Sequence, residues 1–211
     1  MNKRTCLFDK HEELGALISP FGGFDMPIQY SSIIEEHNAV RNHCGVFDVS
    51  HMGEVRVKGK DAQTFVNHIF TNDVTTMQPG GIQYGMMLYD NGGTVDDLLV
   101  YKMADNDYFL VINAANIDKD WQWISEHLEG YDVDAANVSD QYGQIAVQGP
   151  EAEQVVTEVL GIECAELVFY TFKTVGDVII SRTGYTGEDG FEIYGSHDYI
   201  RQCWDKLMQS K

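Results

Sequence analysis

A repeat at a fixed offset restricts the fold of this chain more than any other feature. Val55-Arg56-Val57-Lys58-Gly59-Lys60-Asp61-Ala62 and Ile145-Ala146-Val147-Gln148-Gly149-Pro150-Glu151-Ala152 follow one pattern, 90 residues apart. The same offset matches Phe65-Val66 with Val155-Val156. Each copy reads as an alternating strand, a glycine turn and an amphipathic helix, and Pro150 suits a first helical turn, where no N–H is needed. Each half also carries a glycine-punctuated, acid-bearing hairpin, Asn91 to Tyr101 in one and Arg182 to Glu192 in the other. We expect two related substructures sharing a face, with both hairpins turned toward a common pocket.

The acids in these hairpins stand where a strand should bury apolar side chains. In Val95-Asp96-Asp97-Leu98-Leu99-Val100-Tyr101, period-two alternation puts Asp96 and Asp97 on opposite faces, so at least one sits beside apolar neighbours. An unpaired buried carboxylate costs several kcal/mol or stays protonated. A sequence that accepts such a cost often uses the group for chemistry.

Other elements follow from local signals. Ser32-Ile33-Ile34-Glu35 reads as a capping box opening a helix that continues through Val40 and Arg41 and stops at Gly45. Before it, Phe21-Gly22-Gly23-Phe24-Asp25-Met26-Pro27-Ile28 reads as an aromatic, glycine-rich loop. Strands are expected over 82–89, 94–101 and 108–113, with helices over 61–70 and 117–128. A last helix from Ser196 to about Met208 carries Ile200, Cys203, Trp204 and Leu207 on one stripe. The order implies α+β architecture with antiparallel pairing.

Composition excludes several function classes. Acidic residues outnumber basic ones 33 to 14, for a net charge of −19, which argues against binding a phosphate backbone. No run of ~18 apolar residues suggests a membrane span, and the N-terminus has no signal-peptide core, so a cytoplasmic protein is expected. Cys6, Cys44, Cys164 and Cys203 are scattered and read as reduced thiols. His37 and His43 lie six apart, off a common helix face, and no metal site is indicated. No glycine-rich dinucleotide fingerprint follows a strand.

Several motifs together resemble the folate-dependent aminomethyltransferase (T-protein) family of the glycine cleavage system. They are Leu7-Phe8-Asp9 with His11, Phe24 to Tyr30, Glu36 to Arg41, Gly45-Val46-Phe47-Asp48-Val49-Ser50-His51-Met52-Gly53, Gly93 to Leu98, and Gly184 to Glu188. The resemblance implies transfer of the one-carbon unit from the aminomethyl-lipoyl arm of H-protein to tetrahydrofolate, giving 5,10-methylenetetrahydrofolate, ammonia and the dihydrolipoyl carrier. It implies an α+β fold of two related mixed α/β substructures, with antiparallel sheets around a folate pocket. Residues 1–50 and 140–211 would form one folate-binding lobe, and residues 51–139 a second lobe carrying the Asp96 hairpin.

By position in the family's motifs, Asp96 resembles the catalytic carboxylate, which orients the attacking folate nitrogen and stabilises developing positive charge. Pairing with a basic group is its competing role. Glu192 resembles the acid that reads the pterin's N–H groups. Tyr185 and Tyr84 would pack the flat rings, Met52 would wall the channel, and Asn113 would offer a donor and an acceptor. Ordinary packing competes for Tyr84, Tyr185 and Met52, and a turn role for Asn113.

The resemblance implies a C-terminal β-rich lobe, with a basic residue near the folate tail and part of the carrier-protein surface, that these 211 residues are expected to lack. Its absence is expected to uncover Trp204 and Leu207. A folate-binding accessory module and an inactive N-terminal fragment are the alternatives, with a demethylating-oxidase relative a weaker third.

Overall fold

Alternation at Val55 and Val57, followed by Gly59 and an amphipathic helix, becomes a strand–turn–helix corner, and the chain forms that corner twice. The computed structural model describes residues 2–210. In chain order its elements begin with α1 (Phe8–Glu13), β1 (Leu17–Phe21), β2 (Phe24–Gln29), α2 (Ile33–Asn42) and β3 (Gly45–Asp48). Then come β4 (Gly53–Lys58), α3 (Ala62–Ile69), β5 (Ile82–Leu88), β6 (Thr94–Ala104), β7 (Asp107–Ile112), α4 (Ile117–Glu126) and β8 (Asp134–Asn137). The last are β9 (Gly143–Gln148), α5 (Ala152–Leu160), β10 (Phe172–Val175), β11 (Val178–Ser181), β12 (Gly190–Gly195) and α6 (His197–Gln209).

Contacts divide the chain into two units, one holding the segment up to His51 and the segment from Gln141 onward, the other Met52–Asp140. The continuous unit is a five-stranded sheet in the order β5-β6-β7-β4-β8, and the discontinuous unit has a sheet in the order β10-β11-β12-β9-β3. All these neighbours pair antiparallel. In both units the repeated strand lies fourth, its helix follows, and a three-strand meander and a second helix come next. Only the edge strand differs: β8 closes its unit, whereas β3 precedes β9.

The repeat holds down to the backbone. Gly59 and Gly149 have φ of 132° and 134°. A Cβ on Gly59 would lie 2.5 Å from the Asp132 carbonyl oxygen, and one on Gly149 2.3 Å from that of His43. Those two carbonyls accept the N–H of Asp61 at 3.2 Å and of Glu151 at 3.1 Å, the residues that open α3 and α5. Only glycine combines this φ with so close an approach. Each sheet then buries one apolar face under its helices. Val55, Val57, Leu110 and Ile112 meet Phe65 and Val66 in the continuous unit. Ile145, Val147, Phe191 and Ile193 meet Val156 and Trp204 in the other.

Four expectations are corrected. Residues 21–28 are not a loop but part of the β1–β2 hairpin, turning on Gly22 and Gly23, both at positive φ. The Ser32–Glu35 capping box does not form: Ser32 makes no side-chain cap bond, and Glu36 instead accepts the backbone N–H groups of Tyr30 and Ser31 at 2.7 and 2.8 Å. Helix α2 ends at Asn42, before Gly45, which opens β3 where a Cβ would strike Val40. Trp204 and Leu207 are not uncovered: they are 2% and 4% exposed, and the Trp204 ring stands edge-on to His11 at 5.1 Å. The stripe on α6 is therefore satisfied within its own unit.

Candidate functional site

The acid on β6 is held by the end of β7 and the start of α4. Leu98 and Val100 face the core of the sheet, and alternation carries Asp96 to that same side, where it is 6% exposed opposite Met87. Asn113, immediately after β7, donates from Nδ2 to Asp96 Oδ1 at 3.1 Å, and its backbone N–H reaches Asp96 Oδ2 at 3.4 Å. Asn116 occupies the N-cap of α4 yet makes no cap bond; its Nδ2 donates to Asp96 Oδ1 at 3.0 Å. One turn later, Asp120 comes within hydrogen-bond reach of the Asp96 carboxyl group.

These contacts set the charge of the pair. Burial works against the charged form of Asp96, but hydrogen bonds from Asp120, Asn113, Asn116 and the Asp97 backbone outweigh it, and its pKa lies below the ordinary value. Asp120 is wholly buried. Burial first, and the neighbouring Asp96 second, push its pKa up to about 7 against the pull of Lys119. Lys119 Nζ donates to Asp120 Oδ1 at 2.8 Å and to the Val95 carbonyl.

Asp97 takes the opposite face. Its Oδ2 accepts the Tyr84 hydroxyl at 2.8 Å, and its Oδ1 accepts Asn113 Nδ2 at 3.1 Å. Tyr84 is 52% exposed, so it presents most of a flat ring outside the core. Asp96, Asn113 and Tyr84 are thus brought into one hydrogen-bonded group. Met52 is half-buried just before β4.

Glu192 belongs to the discontinuous unit and does not occupy the position equivalent to Asp96. It lies on β12, which pairs with β9 as β7 pairs with β4, whereas Asp96 lies on β6, the counterpart of β11. The carboxylate is 5% exposed. Its Oε1 accepts Gln144 Nε2 at 2.9 Å and its Oε2 accepts the Thr183 hydroxyl at 2.5 Å. Burial raises its pKa although both bonds oppose the rise. Tyr185, on the β11–β12 loop, is 65% exposed with its ring edge-on to Phe47 at 6.2 Å.

Tyr185 also lines a cleft of about 690 Å³ together with Tyr30, Val40, Phe47, Asp48 and Met208. Behind its wall, His11 is wholly buried between Asp48 and Tyr30. Its Nε2 contacts Asp48 Oδ2 at 2.8 Å and its Nδ1 contacts the Tyr30 hydroxyl at 2.9 Å. Asp48 also accepts the Thr5 hydroxyl at 2.6 Å and the Ser50 N–H at 2.9 Å. Burial opposes its charge, but the bonds from His11, Thr5 and Ser50 prevail, and its pKa is lowered.

Sequence reasoning missed Asn116, Lys119 and Asp120. A signal existed, because residues 116 and 120 are four apart on an expected helix and so share a face. Among the described residues no cluster of His, Cys, Asp or Glu could hold a metal ion. The four cysteines are free, and among the described residues no helix is long and apolar enough to cross a membrane.

The GCVT N-terminal domain family model matches residues 7–211. An aminomethyltransferase of Bacillus cereus is 49% identical over 214 residues, and one of Alkaliphilus oremlandii 48% over 212; each alignment covers 98% of this chain and 58% of the relative. The crystal structure of glycine cleavage system aminomethyltransferase T from Bartonella henselae superposes with a TM-score of 0.95 at 32% identity, covering all of this chain and 58% of that one. Heterotetrameric sarcosine oxidase from Corynebacterium sp. U-96 shares the fold, with a TM-score of 0.54 at 12% identity. The chain therefore spans about three-fifths of the length of the aminomethyltransferases it matches.

Proposed function

Because this chain belongs to the GCVT N-terminal domain family, we propose that it carries the folate-handling and catalytic groups of a glycine cleavage aminomethyltransferase. The observation that carries this reading is a buried carboxylate, Asp96, that accepts two asparagine amides and lies beside a second buried acid, Asp120. The substrates are tetrahydrofolate and the aminomethyl group on the lipoyl arm of H-protein, in the cytoplasm. Two folate nitrogens replace nitrogen and sulfur on one carbon, and the two N–H protons they lose end on ammonia and on the dihydrolipoyl thiol.

Asp96 accepts the hydrogen bond of the attacking folate nitrogen and offsets the positive charge that grows there, a contribution of about 3 kcal/mol for a preorganised group. Asn113 and Asn116 hold the carboxylate in place, so it does not reorganise during the step. Glu192 reads the planar N–H donors of the pterin, supported from behind by Gln144 and Thr183. Tyr185 and Tyr84 offer ring faces to the flat parts of folate, and Met52 supplies a polarisable wall.

The test separates the two acids. Asp96→Asn should retain its near-ultraviolet circular dichroism and lose about 100-fold or more in transfer rate. Glu192→Ala should weaken tetrahydrofolate binding about tenfold or more in titration calorimetry. Equal and small effects in both assays would remove these roles. A second reading, a folate-binding module without transfer activity, rests on the buried Glu192 and its partners Gln144 and Thr183 alone. It predicts binding lost in Glu192→Ala with no transfer by the parent chain.

A further inference from the structure

We infer that Asp120 is a positioning residue for Asp96: the two carboxyl groups share a single proton held on Asp120, so that Asp96 meets its substrate as the anion. The role rests on the proposed function; the shared proton rests on the burial of Asp120, its unpartnered oxygen and its place beside Asp96. Asp120 is wholly buried on α4, and only one of its oxygens, Oδ1, has a donor, Lys119 Nζ at 2.8 Å. Its Oδ2 is buried with no hydrogen-bond partner among the described residues. Yet the group lies within hydrogen-bond reach of Asp96. Two ionised carboxylates offer only acceptors and repel at that distance, so a bond between them requires one proton.

Which acid holds the proton follows from their donors. Asp96 receives Asn113 Nδ2, Asn113 N–H and Asn116 Nδ2, which stabilise an anion. Asp120 receives one ammonium and is otherwise desolvated. The charged groups facing Asp120 are Asp96 from β6 and Lys119 from α4 itself. The opposed shifts, Asp96 down and Asp120 up to about 7, agree with this placement.

The consequence is a pair that keeps one negative charge with its proton pointing at Asp96. When Asp96 takes a proton from a folate nitrogen the pair becomes neutral. That proton then leaves with the ammonia or the thiol, and the single negative charge returns. Loss of the Asp120 proton at higher pH sets two carboxylates against each other and turns Asp96 out of its amide cradle.

The experiment is carbon-13 NMR titration of the full chain with aspartate side-chain carboxyl carbons labelled, so that Glu54 and Glu192 do not contribute. The expected result is one aspartate titrating near pH 7, absent in Asp120→Asn and moved to lower pH in Asp96→Asn. No aspartate titrating between about pH 6 and 8, or one that persists in Asp120→Asn, overturns the shared proton. If Asp120→Asn does not fold, the shift in Asp96→Asn decides alone. In transfer assays with tetrahydrofolate and aminomethyl-lipoyl H-protein, Asp120→Ala should lower kcat about tenfold with KM unchanged, and Asp120→Asn should lose the alkaline limb near pH 7. An unchanged limb overturns the positioning role. A parent chain that shows the titration but no transfer overturns the proposed function and leaves the shared proton standing.

Discussion

Asp96 and Asp48 show how burial and hydrogen bonding compete at a single carboxyl group. Both lie below 10% exposure, and both stay charged because donors are aimed at them. Glu54 is the contrast: 1% exposed, with one carboxyl oxygen lacking any partner among the described residues, its pKa is driven well above the ordinary value by burial alone. Removing His11 would strip Asp48 of its main partner and leave a charge in the core. We expect His11→Ala to cost about 3–5 kcal/mol in urea unfolding, since breaking one side of a buried pair leaves the other uncompensated. The burial of Asp96 was legible in the sequence, because alternation with Leu98 and Val100 puts it on the core side. Asp120 was not, because its burial depends on where α4 lies against β6.

At the scale of elements, the strand–glycine–helix corner does the same work in both units. Gly149→Ala would push a methyl group into the His43 carbonyl and force an unfavourable φ, and Gly59→Ala would do the same at Asp132. Each should cost at least about 1–3 kcal/mol. Gly130→Ala, at φ 89° with open space around it, should cost less than either in the same unfolding series. The repeat was readable because a fixed offset survives in the apolar and glycine positions. The β1–β2 hairpin was not, because Gly22-Gly23 signals a turn without saying what flanks it, and Pro27 weighs against a strand. It lies on a two-stranded ribbon, where a missing N–H is tolerated. The capping box failed because Glu36, one residue later than the motif requires, found two free N–H groups in the preceding turn.

For the whole molecule, the titrating groups and the net charge act in the same direction. Asp120, Glu54 and Glu192 have folded pKa values above their ordinary ones, so the folded state binds more protons between about pH 4 and their raised values. Their contribution is complete at the acid end of that window and is lost as pH rises through it. Asp48 and Asp96 act oppositely, and their contribution is lost only as pH falls below about 4. A net charge of −19 adds self-repulsion that grows as these acids ionise. Denaturant unfolding should therefore show stability falling between about pH 5 and 7, by at most ~1.4 kcal/mol per pH unit for each group. Asp120→Asn should flatten that slope; an unchanged slope would show that Asp120 titrates alike in the folded and unfolded chains. The sequence by itself determined the doubled strand–helix plan, the antiparallel α+β class, the burial of an acid on β6 and the family, since each is written in local periodicity, glycine placement or contiguous motifs. Only the tertiary structure decided that α6 covers its own apolar stripe, that Asp96 and Glu192 stand on non-equivalent strands, and that Asp120 is buried beside Asp96. Those depend on distances between segments far apart in the chain, and such distances are set by packing and not by spacing in sequence.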